Sequence, residues 1–212
     1  MKDSRDLKQI YRVDGKGCFV EVTGEGLPLD KVHVRFVQYN VKAEKGSRMG
    51  NSIDFFINPF TAGVLCHDIM SGRIAALAKK ELEKTKAEGR KYANSIWMKQ
   101  GGTSAKRSAT NTPIAKTFEI TPGSAQPWIL AAKQGPGHET PQGLIVMDKA
   151  ETTIRVPMST DFFKEFALAL DTTKRLWEQL RYVPVLSEGM RMAEDRRREA
   201  IEKAKAENAR AN

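Results

Sequence analysis

The chain has 212 residues, 40% of them hydrophobic, enough to bury the core of one generous domain or two small ones and too apolar for a disordered chain. Thirty-five Lys and Arg against 26 Asp and Glu leave a formal charge of +9, which points to a polyanionic partner without identifying it. No apolar run approaches the ~20 residues that span a bilayer, and Met1 to Gln9 has no signal-peptide core, so a cytoplasmic protein with no membrane partner is expected.

In chain order, Met1 to Ile10 is charged and reads as a lead-in. Gly15 and Gly17 introduce a β-rich run, Cys18 to Val22, and Gly24 to Pro28 turns the chain. Val32 to Lys42 alternates with period two, Val32, Val34 and Phe36 on one face and His33, Arg35 and Tyr39 on the other, which is the pattern of a half-buried strand. Glu44 to Gly50 is a basic turn carrying Lys45 and Arg48, and Ile53 to Ile57 returns as a strand that Asn58-Pro59 stops. Thr61 then caps one long amphipathic helix, with Leu65, Ile69, Ile74, Leu77 and Leu82 at helical spacing to about Glu88.

The second half repeats that plan. Ser95 to Gln100 reads as a strand, Gly101 to Pro113 as a Ser/Thr/Gly loop holding Lys106 and Arg107, and Lys116 to Thr121 as another strand. Trp128 to Gln134 and Leu144 to Met147 form a long-looped hairpin with Gly135-Pro136-Gly137 in its turn. Thr152 to Val156 is stopped by Pro157, and Ser159 and Thr160 cap a helix whose apolar positions are Phe162, Phe163, Phe166, Leu170, Leu176 and Leu180. The expected fold class is therefore α+β: a duplicated β4-α-β4-α domain over 1–185, halves about 10–93 and 94–182, with antiparallel sheets packed against two helices. Residues 186–212 form a charged helical tail; Ser187 to Asn212 holds seven basic and six acidic residues, so the rest keeps +8 of the +9.

Catalytic and metal signatures are absent from the sequence. Cys18 and Cys66 are far apart in apolar settings that suit free buried thiols, and His33, His67 and His138 are too scattered for zinc-ligand spacing. There is no GxxxxGK[ST] loop, no GxSxG elbow and no HExxH. Asp161 and Glu165 sit where carboxylates suit a helix start, so no enzyme and no cofactor is expected.

A basic chain of this element order resembles the Whirly family and the related positive-cofactor-four-type transcriptional coactivators, over roughly Ile10 to Leu180. The resemblance is strongest over Lys116 to Leu176, where KTFEI, PWILAAKQGPG, GLIVM and TTIRVPMSTDFFKEFALAL carry it. The basic strand motif Lys-Gly-Lys-Ala-Ala-Leu of plant Whirly proteins is absent; its nearest local analogues are Val41 to Gly46 and Leu130 to Lys133. The resemblance implies a non-catalytic, largely sequence-independent single-stranded DNA-binding protein that works on β-sheet surfaces as a homo-oligomer, a tetramer in particular.

Single strands offer phosphates to Lys and Arg and unstacked bases to aromatic faces and amides. Three clusters combine those types: Gln38, Tyr39 and Lys42; Trp97, Lys99 and Gln100; and Trp128, Lys133 and Gln134. Lys45, Arg48, Lys106 and Arg107 supply turn cations. Trp128 and Phe118 lie in apolar strands, where aromatics belong to the core more often than to a stacking surface, and Phe55, Phe56 and the three Phe of the second helix are expected in the core. Lys99, Lys133 and Gln134 with Gln38, Tyr39 and Lys42 would line one continuous track. An RNA-binding protein of the same fold and a structural or assembly protein with a basic surface remain open alternatives.

Overall fold

The computed structural model describes residues 8–44, 47–109 and 111–211, with the side chains of 204–211 excepted. Strands β1 (Gln9–Gly15), β2 (Cys18–Thr23), β3 (Val32–Tyr39) and β4 (Met49–Ile57) pair antiparallel in that order. Helices α1 (Pro59–Met70) and α2 (Arg73–Ala87) follow. The second sheet holds β5 (Trp97–Thr103), β6 (Ile114–Pro122), β7 (Trp128–Glu139) and β8 (Ile145–Met147) in order, with β9 (Thr152–Met158) also on β7, and α3 (Thr160–Ala211) closes the chain. The class is α+β with two antiparallel sheets, but four strands and two helices are followed by five strands and one helix, in place of two halves of four strands and one helix each.

Each departure has a local cause. Strand β1 overlaps the charged lead-in only at Gln9 and Ile10 and otherwise covers residues to which the sequence reading gives no element; Tyr11 and Val13 pair with Val22 and Val20 on the inner side, while Arg12 outside bonds Asp14 and lies 3.6 Å over the Phe19 ring. Tyr11 also donates its hydroxyl to Glu165 Oε2 at 2.6 Å, tying this edge strand to α3. The first helix starts before Thr61 because the Asn58 side chain accepts from Phe60 N–H at 2.9 Å with Pro59 in the first turn. It is broken after Ser71, where Gly72 takes φ 81°.

The Gly135-Pro136-Gly137 run lies inside β7 rather than in a turn, and the chain reverses at Thr140 to Leu144. A side chain at Gly135 would collide with the Lys149 carbonyl, so the glycine permits close approach of two backbones. Pro157 does not stop β9 but sits within it, opposite Ile129 of β7.

One core joins both sheets. Val20, Val22, Val34, Phe36, Ile53 and Phe55 face Phe118, Ile120, Leu130, Ile154 and Val156, closed by Leu65 and Ile69 from α1 and by Phe163, Phe166 and Leu170 from α3. Phe118 is its hub, with ring centroids of Phe36, Trp97, Phe55 and Phe166 at 5.2, 5.2, 5.8 and 6.3 Å. Phe56 and Phe162, expected in the core, are each 49% exposed; strand alternation turns Phe56 away from the side that Phe55 buries. Cys18 and Cys66 are both buried and are not joined in a disulfide.

Two compact units divide the chain, Met1–Lys174 and Arg175–Asn212, and both sheets lie in the first. In the second, the helix continues through Pro184 instead of ending near residue 182. Leu176 and Leu180, expected on a buried face, are 39% and 65% exposed. No described helix is long and apolar enough to cross a membrane.

Candidate nucleic-acid interface

Directly paired residues of antiparallel strands share a face, so the ladder register decides which candidates meet. On the core-facing side of the second sheet, Lys99, Phe118, Ala132 and Ile154 form one row, and Gly101, Lys116, Gln134 and Thr152 form the next. The first row is apolar except at its exposed edge residue Lys99; the second is polar. There the hydrophobic core gives way to partly exposed polar side chains, Lys116, Gln134 and Thr152.

The first sheet meets this polar row with polar groups of its own. Gln38 Nε2 donates to the Thr153 carbonyl at 3.4 Å, and Asn51 Nδ2 donates to Gln38 Oε1 at 3.4 Å. Lys116 Nζ donates to the main-chain carbonyl of Asp54 at 3.2 Å, its one hydrogen bond among the described residues. Burial holds the Lys116 ammonium below the ordinary lysine range, with the Asp54 carboxylate pulling the other way. Gln38, Asn51, Lys116 and Gln134 thus form the partly exposed polar border where the two sheets meet, here called the mouth, with exposed Lys99 at its edge. Lys116 and Asn51 were not among the sequence candidates; the signal for Lys116 was present, because a strand that alternates Lys116, Phe118 and Ile120 places the lysine in register with the core.

The other candidates lie elsewhere. Lys133 and Gln100 are on the opposite face of the second sheet, in one row with Thr117 and Thr153. Lys133 Nζ pairs with Glu119 Oε1 at 2.8 Å, and the Thr117 hydroxyl donates to the same buried carboxylate at 3.0 Å. Lys133 therefore neutralises a buried acid. Lys133→Ala is expected to lower stability by about 1–2 kcal/mol, the cost of leaving that carboxylate without its cation. Urea unfolding reads this, and Lys133→Ala combined with Glu119→Gln should recover most of the loss.

Tyr39 faces away from Gln38, donating its hydroxyl to the Gly15 carbonyl at 3.2 Å with its ring 6.0 Å from Phe19. Trp128 is a core residue, stacked on Phe163 at 4.4 Å with its indole N–H on Thr160 Oγ1 at 3.3 Å. Trp97 is half-buried, edge-on to Phe118 at 5.2 Å, on the same face as Lys99. Lys42, Arg48, Lys106 and Arg107 are exposed turn cations, Arg48 Nε donating to the Ala43 carbonyl at 3.0 Å. Lys45 lies outside the described residues. The single track read from the sequence is thus split: Gln38, Lys99 and Gln134 belong to the mouth, Tyr39 and Lys133 face away from it, and Lys42 lies in the exposed turn after β3.

The outer face of the first sheet carries a dense polar network. His33, 1% exposed, has Nδ1 at 2.8 Å from Thr23 Oγ1 and Nε2 at 2.9 Å from Asp54 Oδ1, and it stacks on Phe56 at 4.6 Å. A carboxylate only accepts, so Nε2 carries the proton toward Asp54. Arg35 Nε donates to the same Asp54 oxygen at 2.8 Å, and its other nitrogens reach Glu25 at 3.3 Å and Glu21 at 3.7 Å. The His33 hydrogen bond, then Arg35, hold Asp54 down to about 2 against the opposing effect of burial. Thr23, His33 and Asp54 line up like an acyl-transfer triad, but Thr23 is 2% exposed and its oxygen already accepts from Glu25 N–H, so no substrate reaches it. Among the described residues no group of three His, Cys, Asp or Glu could hold a metal ion.

No family model and no curated protein sequence matches the chain. Among solved structures, the crystal structure of WHY1 from Arabidopsis thaliana, a Whirly protein, is similar to it at 9% sequence identity and a TM-score of 0.44, over 86% of this chain and 90% of that one.

Proposed function

We propose that this protein is a non-catalytic, largely sequence-independent binder of single-stranded nucleic acid, DNA in the first place, and that the strand passes across the mouth between the two sheets. The observation that carries the proposal is Lys116, an ammonium held half-buried among the amides Gln38, Asn51 and Gln134 with a single main-chain acceptor. Burial without a paired carboxylate disfavours the charge, and an arriving phosphate restores what was lost. Amides beside it suit base edges, and the exposed Lys99, Lys106 and Arg107 extend the positive surface along β5 and the turn that follows. The outer face of the first sheet, where Glu21, Glu25 and Asp54 surround Arg35, is a poor surface for a polyanion.

The same proposal includes a cytoplasmic homo-oligomer, a tetramer in particular. A few strands contact only a few nucleotides, so symmetric copies lengthen the track, and Phe60 and Val64, one turn apart on α1 and 53% and 60% exposed, offer apolar packing surface. We also read the sheet-then-helix order of both halves as a structural duplication.

Fluorescence anisotropy with matched single-stranded DNA, single-stranded RNA and duplex DNA tests the function. Tight binding to single strands, weakening steeply with added salt, supports it. Preference for the RNA strand would transfer the proposal to RNA, and no binding to any of the three would overturn it in favour of an assembly role.

A further inference from the structure

Between α2 and β5 the chain presents Lys91-Tyr92-Ala93, with Tyr92 72% exposed. This tip is held from several sides. Helix α2 closes at Gly89, φ 63°, with Gly89 N–H on the Lys86 carbonyl and Arg90 N–H on the Thr85 carbonyl, the paired bonds that end a helix in a left-handed residue. Glu81 Oε1 then accepts from Arg90 Nη2 at 3.0 Å and from Asn94 N–H at 2.7 Å, clamping the chain on both sides of the tip. Arg90 Nη1 donates to the Tyr92 carbonyl at 3.4 Å and Arg90 Nε to Glu88 Oε2 at 2.6 Å. Beyond the clamp, Ser95 Oγ bonds the Trp97 carbonyl at 2.8 Å and leads into β5.

An exposed loop aromatic ordinarily needs no such fixing. Here one carboxylate and one guanidinium order the tip while the ring they order is left in solvent, with Lys91 Nζ 5.3 Å from its centroid. A shallow cleft of about 240 Å³ is lined by Leu77, Lys80, Glu81, Lys84, Ser95 and Ile96; its carboxylate, Glu81, is the one held by Arg90, and Lys84 makes an exposed pair with Glu88 at 3.8 Å that an arriving phosphate could displace. A pre-ordered aromatic face flanked by cations is the chemistry that takes an unstacked base with its adjoining phosphates, and ordering the loop beforehand lowers the entropy lost on binding.

We infer that Tyr92 is a base-stacking platform for single-stranded nucleic acid, positioned by the Glu81–Arg90 clamp, with Lys80, Lys84 and Lys91 receiving the neighbouring phosphates. The inference rests on the binding reading above and extends the interface along β5, past Trp97 and Lys99, onto the end of α2.

The test compares the full chain with Tyr92→Ala, Tyr92→Phe and Glu81→Gln on an oligothymidine and on the same oligomer with abasic sites. Tyr92→Ala should bind the oligothymidine about tenfold more weakly or worse, with the salt slope unchanged, and Tyr92→Phe should restore binding. Glu81→Gln should fall between them, because the ring remains but its loop is loosened. On the abasic strand the parent and Tyr92→Ala should bind alike. Parent-like binding of oligothymidine by Tyr92→Ala, or an equal loss on the abasic strand, would overturn the stacking role while leaving the binding proposal intact; absence of binding by the parent chain would remove both.

Discussion

Lys116→Met should weaken binding to single-stranded oligonucleotides by about 1.5–3 kcal/mol, the range for a hydrogen bond to a charged group, and should do so without loss of stability. The two effects have one origin. Burial lowers the Lys116 pKa, so the folded state holds that proton less tightly than the unfolded chain. The charged amine therefore opposes folding at every pH below its folded pKa, and the opposition disappears above its ordinary value of 10.5. Methionine fills similar space without the charge, so the unfolding midpoint near neutral pH should stay or rise, and the difference from the parent should shrink toward alkaline pH. The binding loss should be sequence-blind, and the magnitude of the salt slope should fall by roughly 0.7, the value for one phosphate contact on a single strand. Parent-like affinity in Lys116→Met would remove the observation on which the proposed function rests.

The second large effect is on stability alone. Asp54→Ala should destabilise the chain by about 2–3 kcal/mol, because His33 loses its Nε2 acceptor in a buried site and Arg35 loses its shortest partner. That corresponds to a fall of roughly 5–10 °C in Tm for a unit of this size. The sign with pH is fixed by the lowered carboxyl: its folded value of about 2 lies below its ordinary 3.8, so its contribution is fully present above pH 4 and is lost as pH falls through about 2. The Asp54 side chain is 30% exposed, so solvent screening reduces that pH-dependent part to about 1–2 kcal/mol. Urea unfolding between pH 5 and 2 checks both statements. A parent whose stability is flat between pH 4 and 2, or an Asp54→Ala as stable as the parent, would show that the network does not hold the sheet. Binding by Asp54→Ala, assayed at a temperature where it is folded, should remain close to that of the parent, since the hydrogen bond Asp54 makes to Lys116 comes from its main-chain carbonyl and its carboxylate opposes only part of the effect of burial on that ammonium.

Much of this architecture is legible in the sequence. Period two in Val32 to Tyr39 and in Lys116 to Ile120, the Asn58-Pro59 stop and the Ser159 cap lead directly to β3, β6, α1 and α3, because each signal is local. What escapes depends on residues far apart in the chain. Gly135 to Gly137 carries turn chemistry, and the close approach of Lys149 to Gly135 and of Val146 to Gly137 explains its place in a strand. Lys133 reads as a free cation at a strand end until the register sets it beside Glu119, fourteen positions away. Gln38 and Tyr39 are neighbours in sequence, yet alternation sends one to the mouth and the other to the opposite face. Trp128 reads as a stacking candidate and proves to be core, as the apolar run around it already suggested. Tyr92 gave no periodic signal, because its value lies in the clamp from Glu81.

The central claim, that a single strand crosses the mouth between the sheets, is tested most directly by photo-crosslinking the chain to an iodouracil-substituted single strand and mapping the adducts by mass spectrometry. Adducts within Trp97–Thr103 and Ile114–Pro122, lost in Lys116→Met at the same strand concentration, are the predicted result. Adducts confined to the outer face of the first sheet, around Arg12, Glu21 and Phe56, or to Arg175–Asn212, would contradict it.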